Sequence, residues 1–247
     1  STLKKWNDEF RDCVYLSFAI EHKEIERLLP PGTKADTRHY RGKEWGFFSL
    51  IFLKSESTFS QLLPWPKFKY SLSILRFYVI DGSNRTATYL ARFYSPGFQS
   101  TLLKLIGGVP VARVNADFPT RAQPGGIFSW NIEGRGAVDI RCKIEARTGL
   151  SGGLPDLFEE PDDYRRFILN RPIAYHSASL KDVKKIKLSA HYSKPHQVTI
   201  KKCELGLIAA DMERHSFPEA ISGAFYLSDL TVGAKVRETV PLAELTG

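Results

Sequence analysis

Apolar and polar residues along this chain follow the strand period of two more often than the helical 3.6. Trp45 to Leu53, WGFFSLIFL, is apolar or aromatic at nearly every position, which predicts a strand covered on both faces at the centre of a sheet. Ser71 to Ile80 predicts another strand, Asp81-Gly82-Ser83-Asn84 a turn, and Thr86 to Phe93 the return of a hairpin. Ala137 to Ala146 sets Val138, Ile140, Cys142 and Ile144 against Asp139, Arg141, Lys143 and Glu145, so one face is core and the other wet. Ile186 to Tyr192, Val198 to Ile208 and Ala224 to Leu230 continue the strand series. Two segments read as helices. Phe18 to Leu29 spaces Ile25, Leu28 and Leu29 helically among charges and stops at Pro30-Pro31-Gly32. Asp162 to Leu169 begins with two acids at its positive end. Leu150 to Pro161 is linker-like, yet strand signals lie on both sides of it, which argues for one interleaved domain over residues 1–247.

Composition narrows the class. With 247 residues, 43% hydrophobic and 25% charged, the chain can bury a core, and no run approaches the length of a membrane span. The start lacks an apolar h-region, so a soluble, non-secreted, cytoplasmic protein is expected. Cys13, Cys142 and Cys203 are scattered and odd in number, which fits neither a disulfide framework nor a thiolate zinc site. The six His residues form no HExxH, so no metal and no cofactor is expected. There is also no G-x-S-x-G elbow, phosphate-binding loop or dinucleotide fingerprint. The net charge of +8 draws anions. Lysines at 181, 184, 185, 187, 194, 201 and 202 concentrate that charge, but only Tyr192 offers itself for base stacking, which disfavours nucleic acid as the partner.

Two polar positions stand out on strands. Alternation places Arg76 on the face of Leu72, Ile74, Tyr78 and Ile80, where a guanidinium needs a carboxylate, backbone carbonyls or an anionic ligand. Val111, Arg113, Asn115 and Asp117 share a face opposite Ala112, Val114, Ala116 and Phe118. That polar face is either solvated or part of a small-molecule pocket.

At these strands the chain resembles the acetoacetate decarboxylase-like superfamily, above all its large bacterial branch of unknown function. RDCVYLSFAIEHKEIERLLP (11–30), WGFFSLIFLK (45–54), SILRFYVIDG (73–82), TYLARFYSP (88–96) and DYRRFILNRPIAYH (163–176) carry the resemblance, which covers most of the chain. It implies an α+β fold: a curved antiparallel sheet closed or nearly closed into a cone-like β-barrel, with short helices packed outside. In that family a lysine forms a Schiff base with a ketone, and a second lysine beside it lowers the first one's pKa; the pair follows a Pro. Here Pro110 is followed by Val111 and Ala112, so the pair is missing. The carboxylate-binding arginine matches Arg11, while the acidic pocket residues fall at Ser49 and near Ser71 or Leu72.

The resulting expectation is a barrel pocket that binds a small organic acid or keto compound through Arg11, Ser49, Arg76 and Arg113, without Schiff-base decarboxylation. The alternatives are an active carbon–carbon lyase of that superfamily using another lysine, and a basic module binding anions or nucleic acid. A homo-oligomer is compatible with each.

Overall fold

The apolar run at 45–53 lies inside a long strand, β4 (Lys43–Ser60), held between β1 (Lys5–Glu21) and β5 (Leu63–Asp81). All nine of its residues are buried, as a strand with both faces covered requires. The computed structural model describes residues 5–60, 63–107, 109, 111–117, 127–133, 139–145, 154–177, 182–205 and 221–241. After β1 come a short helix α1 (His22–Glu26) and two short strands, β2 (Thr33–Ala35) and β3 (Arg38–Tyr40). β5 turns at Asp81-Gly82-Ser83-Asn84 into β6 (Thr86–Pro96), in the hairpin read from the sequence. Asp81 organises this turn: its carboxylate accepts the backbone N–H groups of Ser83 and Arg85 and the Arg85 guanidinium, and Asn84 takes the left-handed conformation.

The chain continues through α2 (Gln99–Gly107), β7 (Val111–Asp117), β8 (Ile127–Glu133), β9 (Asp139–Glu145), a 3-10 turn at Leu154–Leu157 and α3 (Pro161–Leu169). The last strands are β10 (Ile173–Ser177), β11 (Asp182–Tyr192), β12 (His196–Leu205) and β13 (Ile221–Pro241). All thirteen belong to one sheet, and the path β13–β1–β4–β5–β6–β10–β11 returns to β13, so the strands form a ring. The fold is mostly sheet with few helices. The antiparallel pairing expected from the sequence is not kept throughout: β6 runs parallel to both β7 and β10. Parallel neighbours need a crossover, and α2 supplies it between β6 and β7.

The helix expected over 18–29 is a correction. Phe18 to Glu21 continue β1, and helix is confined to His22–Glu26. Residues 13–20 are buried and pair with β4 on one side and β13 on the other, so two ladders override a weak helical spacing. The helix expected at 162–169 is α3. Pro161 occupies its first turn, where a missing N–H is harmless, and Asp162 and Asp163 meet the positive end of its dipole. Strand β9 lies where the alternation at 137–146 put it; its ends at 137–138 and 146, and residues 206–208, lie outside the described residues. No helix among the described residues is long and apolar enough to cross a membrane.

Both faces of the sheet carry core. Val14, Leu16, Phe48, Leu50, Leu75 and Phe77 pack on one face, with Ile25 of α1. Tyr15, Phe47, Ile51, Tyr78, Phe93 and Val111 pack on the other, with Tyr164, Phe167 and Ile168 of α3. Gly46 lets α1 approach β4, since a Cβ there would stand 3.0 Å from the Ile25 side chain and 3.3 Å from the His22 backbone.

Candidate functional site

The face covered by α3 contains the polar residues that an apolar core would otherwise exclude. Ser17, Ser49 and Arg76 are successive cross-strand partners on β1, β4 and β5, so they share one rung of the sheet. Both serines are fully buried and Arg76 is 7% exposed. Arg76 donates from Nη2 to Tyr78 Oη at 2.7 Å and to the Ile168 carbonyl. Tyr78 Oη lies 2.6 Å from Ser49 Oγ, and Ser49 Oγ lies 2.7 Å from Ser17 Oγ. Because a guanidinium only donates, Tyr78 Oη accepts from Arg76, which leaves the Tyr78 O–H free to donate to Ser49. The rung is therefore a polarised hydrogen-bond chain that starts at a fixed cation. Arg76 Cζ also sits 5.1 Å from the Tyr15 ring and 4.9 Å from the Tyr78 ring. Burial pushes the Tyr15 and Tyr164 hydroxyls well above the usual phenol range, so both stay neutral donors. Arg76 Nε is buried without a hydrogen bond.

Helix α3 is fixed to this wall at its C-terminal end. The carbonyls left over in its last turn are taken by arginines: Ile168 by Arg76, and Phe167 by Arg171 Nε at 2.7 Å. Arg171 Nη1 is paired with Asp36 Oδ2 at 2.7 Å, with both side chains buried, and Arg38 Nη1 reaches the other oxygen of Asp36 at 3.0 Å. Asp36 is itself held by its N–H, bonded to the Tyr78 carbonyl at 3.0 Å. Burial lowers the Arg171 pKa and the Asp36 charge opposes that shift. The guanidinium groups are sandwiched by rings: Arg171 Cζ lies 4.2 Å from Phe167 and 5.2 Å from Tyr78, and Arg38 Cζ 4.6 Å from Phe167 and 5.6 Å from Phe158. Outside them opens a cleft of about 600 Å³ lined by Asp36, Arg38, His39, Phe158, Phe167, Asn170 and Arg171, with Glu159, Asp163 and Arg166 among its other lining residues. Arg38 and Arg171 share one carboxylate, that of Asp36, whereas Arg76 is held by Tyr78 Oη and the Ile168 carbonyl. This wall can hold a planar anion, with arginine for the charge and rings for the body.

The residues singled out from the sequence fall in three places. Ser49 and Arg76 meet in the buried rung. Arg11 is not in it: its side chain is 61% exposed and lies 4.0 Å from the exposed Asp229, a pair worth little in water. Arg11 pairs with Lys54, and Lys54 with Ser71, five positions along β4 from Ser49, roughly 17 Å at the rise of a strand. Arg113 is exposed on β7, opposite Ser95. Val111 is 2% exposed against the α3-side core, while Ala112 packs against the other face. Among the described residues no lysine is buried, and no three His, Cys, Asp or Glu side chains converge as metal ligands would. Asp36, Arg38, Tyr78 and Arg171 escaped sequence reasoning. The available signal was an arginine just past an amphipathic helix, Asn170-Arg171-Pro172, which marks a guanidinium positioned for the helix's last carbonyls.

Beside Val111, its partner Phe93 lies edge-on to His176, ring centroids 6.3 Å apart. His176 is buried, with Nδ1 3.0 Å from the Ser177 carbonyl, and burial lowers its pKa below the ordinary 6.5. The folded state thus prefers neutral imidazole. Its contribution is full above pH 6.5 and is lost as pH falls from there through the folded value, with a slope of at most about 1.4 kcal/mol per pH unit. Urea unfolding between pH 7 and 5 should show a shallower acid loss in His176→Phe than in the parent; equal slopes would remove His176 from the acid response.

No protein-family model matches the chain, and no curated protein matches it by sequence. Solved structures do. An acetoacetate decarboxylase-like enzyme from Sphingomonas wittichii RW1 superposes with a TM-score of 0.61 at 13% identity, covering 97% of this chain and 92% of that one. The enduracididine biosynthesis enzyme MppR, complexed with the condensation product of pyruvate and imidazole 4-carboxaldehyde, gives 0.61 at 13%, covering 96% and 89%. Acetoacetate decarboxylase from Legionella pneumophila gives 0.59 at 10%, covering 94% and 87%.

Proposed function

This chain has the acetoacetate decarboxylase-like fold, and from that premise we propose that it binds a small organic acid or keto compound without Schiff-base decarboxylation. In this reading the ring of strands is the cone-like barrel of that fold, and the protein works in the cytoplasm. The observation that carries it is the pair of guanidinium groups, Arg38 and Arg171, sharing the Asp36 carboxylate beside an aromatic-walled cleft. At Asp36 two guanidinium groups face one carboxylate, and an incoming carboxylate can take up the remaining N–H donors of Arg38. Arginine has no free amine with which to form an imine, so a site built on arginine binds a keto acid without Schiff-base chemistry at its carbonyl. Val111 and Ala112, in the place of the lysine pair, support the same conclusion. A solved MppR structure is complexed with pyruvate, which makes keto acids the first ligands to try. Arg38 serves as the entry contact, Phe158 and Phe167 as the walls, and Arg76, Tyr78 and Ser49 as the rigid backing.

A thermal-shift panel of carboxylic and keto acids tests this. A ligand at 100 times its Kd should stabilise the folded state by about 2.7 kcal/mol. Arg38→Gln should abolish that gain while leaving the free chain folded, and Arg11→Ala and Arg113→Ala test the other positions that the sequence offered. No stabilisation by any acid removes the proposal, and a gain that Arg11→Ala alone abolishes moves the site to β1.

A further inference from the structure

A second polar patch lies on the other side of β1, where β13 sits between β1 and β11. Lys235 of β13 is the direct cross-strand partner of Lys187 on β11 and of Lys5 on β1. Like charges directly opposite one another in a ladder are destabilising, so a sheet that retains such a rung gains from an anion placed across it. Among the described residues, neither Lys187 nor Lys235 has an ion-pair partner.

The next rung on the same face is Asn7–Gly233–Ser189. Gly233 is the floor of a groove of about 240 Å³ lined by Asn7, Lys187, Ser189 and Lys235. A Cβ on Gly233 would stand 2.6 Å from Ser189 Oγ and 3.4 Å from Asn7 Oδ1, so the absence of a side chain is what lets these two polar tips converge. Ser189 Oγ donates to the Gly233 carbonyl over a long 3.4 Å, a weak bond that a better acceptor would replace. The third rung, Glu9–Thr231–His191, brings in a carboxylate and ends the cationic run. The patch is therefore short: two ammonium groups, a hydroxyl and an amide over a glycine, bounded by an acid. That suits one compact dianion and not the repeated charges of a nucleic-acid strand, which need a continuous basic track.

We propose that the Lys187–Lys235 rung, floored by Gly233, is a binding site for a phosphate dianion, free or as a monoester, separate from the arginine cleft. Calorimetric titration of the full chain with inorganic phosphate at low ionic strength should give saturable one-to-one binding that sulfate competes and equal ionic strength of chloride does not. Lys187→Gln and Lys235→Gln should each weaken it at least tenfold, and Lys235→Arg should retain it. Gly233→Ala should weaken it by filling the floor. The two lysine variants should unfold at or above the parent's temperature at low salt, because they relieve a like-charge pair, and this separates loss of the site from loss of the fold. Competition by glycerol phosphate assigns the site to monoesters, and its failure to compete assigns it to free phosphate. No binding, binding indifferent to both lysines, or tighter binding of an oligonucleotide with a steep salt dependence would overturn the proposal.

Discussion

Asp36→Ala should destabilise the chain by about 3–5 kcal/mol, because it strands Arg171 as a buried charge without its partner. The loss should reach further than one ion pair. Arg171 also caps Phe167 of α3, and Asp36 aligns Arg38 over the same ring. Once the carboxylate is gone, the Arg38 and Arg171 guanidinium groups, both against the Phe167 ring, are left without the anion they share. Asp36→Asn keeps the shape and one acceptor and should fall between Ala and parent. The double variant Asp36→Ala, Arg171→Met should recover much of the loss, since replacing a buried pair by apolar side chains of similar volume is often neutral. Urea unfolding midpoints at constant m-value measure all three. A loss below about 1 kcal/mol for Asp36→Ala would mean that Arg171 finds water, and the wall would then be looser than its geometry indicates.

The second large effect is a gain. Val111→Lys should create a reactive amine where the parent has none, because residue 111 is 2% exposed among Phe93, Leu157 and other apolar side chains. Burial penalises the ammonium form and pulls such a lysine well below its ordinary value of about 10.4, at a stability cost of several kcal/mol. With a β-keto acid and borohydride, the variant should be trapped as an adduct at residue 111, and peptide mass spectrometry should find the parent unmodified. Ala112→Lys is the internal control: neighbours on a strand face opposite ways, so its amine should behave differently toward the same reagent. An adduct on another lysine of the parent would instead restore the carbon–carbon lyase reading. If the lysine at 111 titrates near 10.4, that position faces water and not a pocket.

How much of this was legible in the sequence depends on range. The 45–53 strand, the 81–84 turn and the 162–169 helix announce themselves through period, turn residues and terminal charge, all of which are local. Phe18 to Glu21 misled because their apolar spacing fits either period, and only pairing with β4, and for Phe18 and Ala19 also with β13, decides it. Arg76 was readable as a buried cation, and backbone carbonyl was among the partners open to it. The residue that supplies that carbonyl, Ile168, is invisible to any local rule. Asp36 and Arg171 are likewise separated by most of the sheet in sequence and joined only by the fold. Arg11, by contrast, was singled out by resemblance alone, and its exposed position beside Asp229 follows from a bulge in β1 between Arg11 and Val14, where Asp12 takes a positive φ.

The partnership of the first strand with the last has a consequence for how the molecule is made. Tyr15 lies opposite Phe225, so the ladder that completes β1 is contributed by a segment synthesised long after it. Until Ile221–Pro241 leaves the ribosome, β1 can pair with β4 on one side while its other row of backbone N–H and C=O groups stays open, an edge that invites mispairing with other nascent chains. Closure pays the largest loop entropy last. Among the described residues the same long-range pairing leaves the short strand Thr33–Ala35 at the margin of the finished sheet, and pairing of such high sequence separation is the kind that slows folding.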